Sequence, residues 1–126
     1  MLFTGSEAVP ANTVALSPVE YTIGLTKGTI TRVQVYFPWG CAGLVGVQVL
    51  RYTWQLFPQS RGEWLIGNDA MWEDNGRYPL DTEPFEVLVR VYNLDDSYEH
   101  APIVAVEISD AAVSAGLQQF LEVVGG

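Results

Sequence analysis

The 126-residue chain contains one cysteine (Cys41), one histidine (His100) and one lysine (Lys27). A lone cysteine excludes an intramolecular disulfide, so the fold stands on its core alone and a reducing compartment is permitted. One histidine and one cysteine fall short of the four-ligand set of a zinc site, unless subunits share ligands. Positive charge is scarce as well: six Lys and Arg face fifteen Asp and Glu, a net charge of −9. Between Glu63 and Glu99 ten acids are balanced only by Arg77 and Arg90. This balance argues against direct nucleic-acid binding and against an anionic membrane, whereas it suits solubility and a basic or cationic partner. No apolar run approaches the roughly 18 residues that a transmembrane helix needs. The opening MLFTGSEAVPAN has no basic segment and carries Glu7 early, so it does not read as a signal peptide. No repeat or low-complexity tract is visible. At this length one domain with a real core is expected.

What the chain does have is alternation. In TRVQVYF, Val33, Val35 and Phe37 share one face; in FEVLVRVYN, Phe85, Val87, Val89 and Val91 do. IVAVEIS lines up Val104, Val106 and Ile108, and VEYTIGL lines up Val19, Tyr21, Ile23 and Leu25. A period of two in β-branched and aromatic residues marks half-buried strands. GLVGVQVLRYTWQLF (43–57) changes phase, from Val45, Val47 and Val49 to Leu50, Tyr52, Trp54 and Leu56. A β-bulge near Val49–Leu50, or a strand that changes sheet, accounts for the slip. The same face is also a candidate subunit contact.

Turn residues punctuate these runs at 37–43 and 57–63. The segment 68–84 reads as the longest irregular stretch, with Asn75-Gly76 as a candidate tight turn. Short strands with turns between them predict an all-β protein: an antiparallel β-sandwich, jelly-roll-like, with sandwich and barrel strand orders both open. The organisation expected is a flexible N-terminal arm at 1–15, a β-sandwich domain at 16–109 and a C-terminal helical tail at 110–126. The tail rests on Val113, Leu117, Phe120, Leu121 and Val124, which fall on one helical face after a potential N-cap at Asp110.

YNLDDSYEH (92–100) concentrates acids, tyrosines and the histidine. Asn, Asp and Ser bond their own backbone in turns, so a hairpin connection explains the composition without chemistry. Its competitor is a calcium site at Asp95, Asp96 and Glu99, although the spacing lacks the EF-hand pattern. Ser97 lies close to His100, but no serine sits in a GxSxG setting; Cys41 is a candidate partner for His100, with a small buried thiol near a turn as the commoner explanation. Loop acids (Asp69, Glu73, Asp74, Asp81, Glu83) suit any surface as well as glycoside chemistry. No cofactor motif stands out, and no enzymatic activity is expected. The four tryptophans, Trp39, Trp54, Trp64 and Trp72, serve as core, as interface anchors or as a sugar-stacking platform, depending on where they point.

The succession FPWGCAGLVGVQVL, WQLFP, GEWLIGND and PFEVLVRVYNLDDSYEH resembles the small β-sandwich accessory, decoration-type virion proteins of tailed bacteriophages. The resemblance spans residues 16–109 and is architectural, with no diagnostic motif. It implies a non-enzymatic structural role in the virion, as a homo-oligomer (a trimer or ring) docked on a larger viral shell protein. The contacts expected on the residue reading are Leu50, Tyr52, Trp54 and Leu56, with Leu117, Phe120 and Leu121 of the tail. The alternative is a carbohydrate-binding module that uses exposed tryptophans, with calcium assistance.

Overall fold

A computed structural model describes residues 1–109. The expected C-terminal helix, with Leu117, Phe120 and Leu121, lies outside the described residues. Nine strands follow one another: β1 (Leu2–Ser6), β2 (Val19–Gly24), β3 (Gly28–Phe37), β4 (Val45–Arg51), β5 (Trp54–Phe57), β6 (Leu65–Ile66), β7 (Ala70–Leu80), β8 (Glu86–Asn93) and β9 (Ile103–Ser109). They form two antiparallel sheets, β1-β9-β3-β7 and β2-β8-β4-β5, with β6 added beside β4. The described residues are thus all-β and sandwich-like, and no helix among them is long and apolar enough to cross a membrane.

The connectivity is that of a ribbon folded back on itself. β4 pairs with β5, β3 with β7, β2 with β8 and β1 with β9. One core lies between the inner faces: Val33, Val35, Phe37, Val104, Val106 and Ile108 from one sheet, Val45, Val47, Val49, Val87, Val89 and Val91 from the other. These are the residues whose alternation marked them as inward-facing. Burying a Val-sized side chain is worth about 1.5–3 kcal/mol, so this layer is the main source of stability.

Three sequence-based expectations are corrected. First, the start of the chain is not a flexible arm. Residues 2–6 form β1, in register with β9 from Leu2↔Glu107 to Ser6↔Ile103. Val9 is fully buried and paired with His100, and Thr13 is paired with Asn93. Second, 68–84 is mostly strand. Asn75-Gly76 sits inside β7 at a register shift, where Ile30 faces Tyr78 but Arg32 faces Asn75. On the other side β3 is bulged against β9 between Ile30 and Arg32, which turns both Ile30 and Val33 inward.

Third, the residues 50–56 do not form one face. β4 and β5 are a hairpin, with Tyr52 and Thr53 as the turn between Arg51 and Trp54, and their register shifts between Val49 and Leu50. The slip in phase is real, but it is divided between a bulge and a turn. Leu50 and Leu56 are therefore buried, whereas Tyr52 and Trp54 stand in solvent. Tyr52 has φ +55°, held by its hydroxyl donating to the Glu83 carbonyl at 2.8 Å and by the Arg51 guanidinium 4.1 Å above its ring.

β4 is buried on both faces. The chain leaves β5, loops out over the sheet and returns as β6 on the same edge of β4. Gln48, 3 % exposed, donates to the Glu63 carbonyl at 2.9 Å in that loop. Trp64 packs edge-on against Tyr92, with ring centroids 4.9 Å apart. Tyr92 in turn lies on Gly46, where a Cβ would stand 2.1 Å from the ring. Only glycine allows that approach.

Candidate functional site

The antiparallel register places the β1–β2, β3–β4, β6–β7 and β8–β9 connections at one end of the sheets. Three asparagine and aspartate side chains hold that end rigid. Asn68 Oδ1 accepts from the backbone N–H of Gly40 (2.8 Å) and Ala42 (3.1 Å). Asn93 is fully buried and fully used: Nδ2 donates to the Val9 and Tyr98 carbonyls, and Oδ1 accepts from the Asp95 N–H. Asp95 then accepts from the Ser97 and Tyr98 N–H groups and from His100 Nε2 at 2.9 Å.

This is the geometry of YNLDDSYEH. The His100 contact, then the Ser97 and Tyr98 N–H groups, hold the Asp95 carboxyl below its ordinary value. With both oxygens engaged, Asp95 has little left for a cation, and Asp96 accepts from the Ser97 hydroxyl. Among the described residues no three His, Cys, Asp or Glu side chains stand together to hold a metal ion. Cys41 is fully buried in the neighbouring loop, where burial and then the charge of Asp95 push its thiol up. A thiol held protonated is a poor nucleophile.

Large apolar side chains project from this rigid end. The β1–β2 connection contributes Val14 and Leu16, and the β3–β4 loop contributes Trp39 and Leu44. Ile66, Met71, Trp72 and Ile103 come from adjoining strand ends, and Leu94 and Tyr98 from the β8–β9 loop. Trp39 is 80 % and Tyr98 70 % exposed. Of the other exposed large apolar side chains among the described residues, Met1, Leu2 and Tyr52 lie at the far end, and Trp54 stands just past the turn there.

A second feature is a groove of about 570 Å³ along the open side, between β5 and β7. Its walls are Thr53, Trp54, Gln55, Gln59, Arg61 and Tyr78. Gln55 anchors the loop above it, with Nε2 donating to the carbonyls of Pro58 (2.6 Å), Ser60 and Glu63 and Oε1 accepting from Gly62 N–H. Tyr78 donates to Asp74 at 2.8 Å and accepts from Gln59 at 2.8 Å. Its hydroxyl is pushed up by burial and then by the Asp74 carboxylate.

The tryptophans separate accordingly. None belongs to the buried core: Trp39 and Trp72 are on the apolar end, Trp54 is on the groove, and Trp64 covers the outer face through Tyr92. They do not form a three-ring plane. Of the contacts expected from sequence, Tyr52 and Trp54 are accessible, whereas Leu56 is packed in the core and Leu50 is buried on the outer face of β4. Sequence reasoning passed over Tyr98, Leu16 and Arg61 as site residues. A large aromatic inside a turn-forming run, such as Tyr98 in DDSYEH, is the available signal, since a turn cannot aim it at the core.

No protein-family model, curated protein or solved structure matches the chain.

Proposed function

We propose that the protein is a non-enzymatic assembly module that docks by its apolar end on a larger structure and self-associates, in the manner of a virion decoration protein. The observation that carries the reading is the concentration of exposed apolar side chains on one rigid end. Monomeric proteins rarely keep a large contiguous apolar patch in solvent, and exposed aromatics such as Trp39 and Tyr98 are the usual anchors of protein contacts. The ribbon order also supports a jelly-roll reading: β1-β9-β3-β7 against β2-β8-β4-β5 is the order made by rolling one folded ribbon around a core, an architecture common in capsid proteins and lectins. The net charge of −9 favours a protein partner over nucleic acid or an anionic membrane.

The test is native mass by light scattering at increasing concentration, for the wild type and for Trp39→Ser/Tyr98→Ser. A discrete oligomer is expected, shifting toward monomer in the double variant with circular dichroism unchanged. A wild type that stays monomeric up to about 100 μM, a concentration that would reveal an interface worth more than ~5–6 kcal/mol, counts against self-association.

A second reading, saccharide recognition, draws support from Trp54, whose indole stands 70 % exposed on the edge groove. Its calcium-assisted form gains nothing from Asp95, whose oxygens are already occupied.

A further inference from the structure

We propose that the groove between β5 and β7 binds an acidic saccharide, with a sugar ring stacked on Trp54 and its carboxylate held by Arg61. The inference rests on the saccharide reading and narrows it to a ligand class and to named residues. Four observations converge on it.

The groove has the size of a small-molecule site, about 570 Å³ within the usual range of roughly 300–1,000 Å³. Its aromatic surface is on offer: the Trp54 side chain makes no hydrogen bond among the described residues, so the ring face and the indole N–H are both available. An apolar ring face with a polar edge matches a pyranose, which presents C–H groups on its faces and hydroxyls around its rim.

The polar groups are held in place before any ligand arrives. Gln55 ties down the 58–63 loop with four hydrogen bonds, and that loop carries Gln59 and Arg61. Gln59 spends its amide N–H on Tyr78 and keeps Oε1 free of partners among the described residues, so it can accept from a hydroxyl. Thr53 adds a hydroxyl on the same wall. Groups fixed in advance lower the ordering cost of binding.

Charge selects the class of sugar. Arg32 is ion-paired with Glu73 and Glu107, Arg90 faces Glu20, and Arg51 donates to the Thr82 and Pro84 carbonyls. Arg61 has no ion pair or hydrogen bond among the described residues, although the chain carries fifteen acids. It borders both the groove and a shallower hollow of about 370 Å³ on the outer sheet face, which Thr53 and Gln55 share. An unpaired guanidinium beside an exposed indole fits a carboxylate next to a sugar ring, because guanidinium takes a carboxylate with two parallel hydrogen bonds.

The experiment is calorimetric titration of the full chain with trigalacturonate, with the neutral trigalactoside and with a short poly-glutamate. Saturable binding of trigalacturonate is expected, at least tenfold tighter than the other two. Trp54→Ala should abolish it. Arg61→Gln should weaken it about tenfold and leave the neutral sugar unaffected, while Trp39→Ser/Tyr98→Ser should bind like the wild type. Circular dichroism of each variant checks that the exposed substitutions leave the fold intact. Silence of both sugars would overturn the saccharide reading as a whole. Equal binding of acidic and neutral sugars, or an Arg61→Gln variant indistinguishable from wild type, would overturn the acidic assignment alone. Poly-glutamate binding as tightly as trigalacturonate would make the groove an acidic-peptide site and overturn the proposal.

Discussion

Tyr21 sits on β2 with its ring half-buried, yet its hydroxyl is sealed from solvent and has no hydrogen-bond partner. Burial, then the charge of Glu7, raises its pKa to about 12. A phenol whose folded value lies above the unfolded one stabilises the fold below pH ~10 and loses that contribution as pH rises from there toward 12. Tyr21→Phe removes the unpartnered hydroxyl, and a gain on the order of 1 kcal/mol is expected in urea denaturation, with a flatter alkaline profile. Asp95 works with the opposite sign. Its carboxyl is held below the ordinary value by His100 and two backbone N–H groups, so its contribution is complete above pH ~4 and disappears as pH falls through the lowered value. Asp95→Asn is expected to lower stability at pH 7 and to reduce the acid-side slope. A variant with the wild-type slope between about pH 5 and pH 2 would show that the His100 contact contributes nothing to acid stability. Gly46→Ala drives a methyl group into the Tyr92 ring, which Trp64 holds from the other side. A loss of about 2–3 kcal/mol is expected, seen as a lower urea midpoint at constant slope.

At the scale of elements, strands whose one face meets the core were legible as sequence. β2, β3, β8 and β9 write that contact as alternation, because a pleated strand sends successive side chains to opposite sides. β7 carried no such mark. It is an edge strand with mostly exposed side chains, and its Glu, Asp, Asn, Gly and Arg look like a turn. Charges and a register shift are how edge strands avoid pairing with strangers, so its turn-like composition is itself a strand property. β1 was missed because five residues, one of them a glycine, are too few to show a period. Gly5 is there for space: a Cβ would stand 2.7 Å from Ile23 on β2. If β1 is an integral strand, removing residues 1–6 uncovers β9 and should cost at least ~2 kcal/mol, roughly 10 °C in Tm for a domain of this size. An unchanged Tm would be the behaviour of a detached arm.

At the scale of the whole molecule, the described residues present two surfaces with different chemistry. The apolar end is built from loops, each anchored by a buried or capped polar side chain such as Asn93 or Asn68. The groove is built from one hairpin, the following loop and an edge strand. Docking through the apolar end is expected to persist at 0.5 M salt, because desolvation of apolar surface is not screened, whereas binding in the groove through Arg61 should weaken. Light scattering and calorimetry at low and high salt measure the two independently. Oligomers that dissociate in salt would shift the contact toward the charged outer face of sheet β1-β9-β3-β7, where Arg32, Glu73 and Glu107 meet.

The sequence by itself determined which residues are inside, for the strands that contact the core, since alternation is a local record of a two-sided environment. It also carried the phase slip at Val49–Leu50 and the turn chemistry of 92–100. Only the tertiary structure decided how those signals resolve in space. Whether the slip is a bulge, a sheet crossing or a hairpin depends on which strand lies alongside β4, and β5, β6 and β8 are all drawn from later in the chain. The two candidate surfaces share that dependence. Leu16, Trp39 and Tyr98 stand at one end of the sheets because the strand registers bring their loops there, and Trp54 lines a groove with Arg61 and Tyr78 only where β5 passes the edge of β7. Strand pairing sets those distances, and pairing is a long-range property that a window of neighbouring residues does not contain.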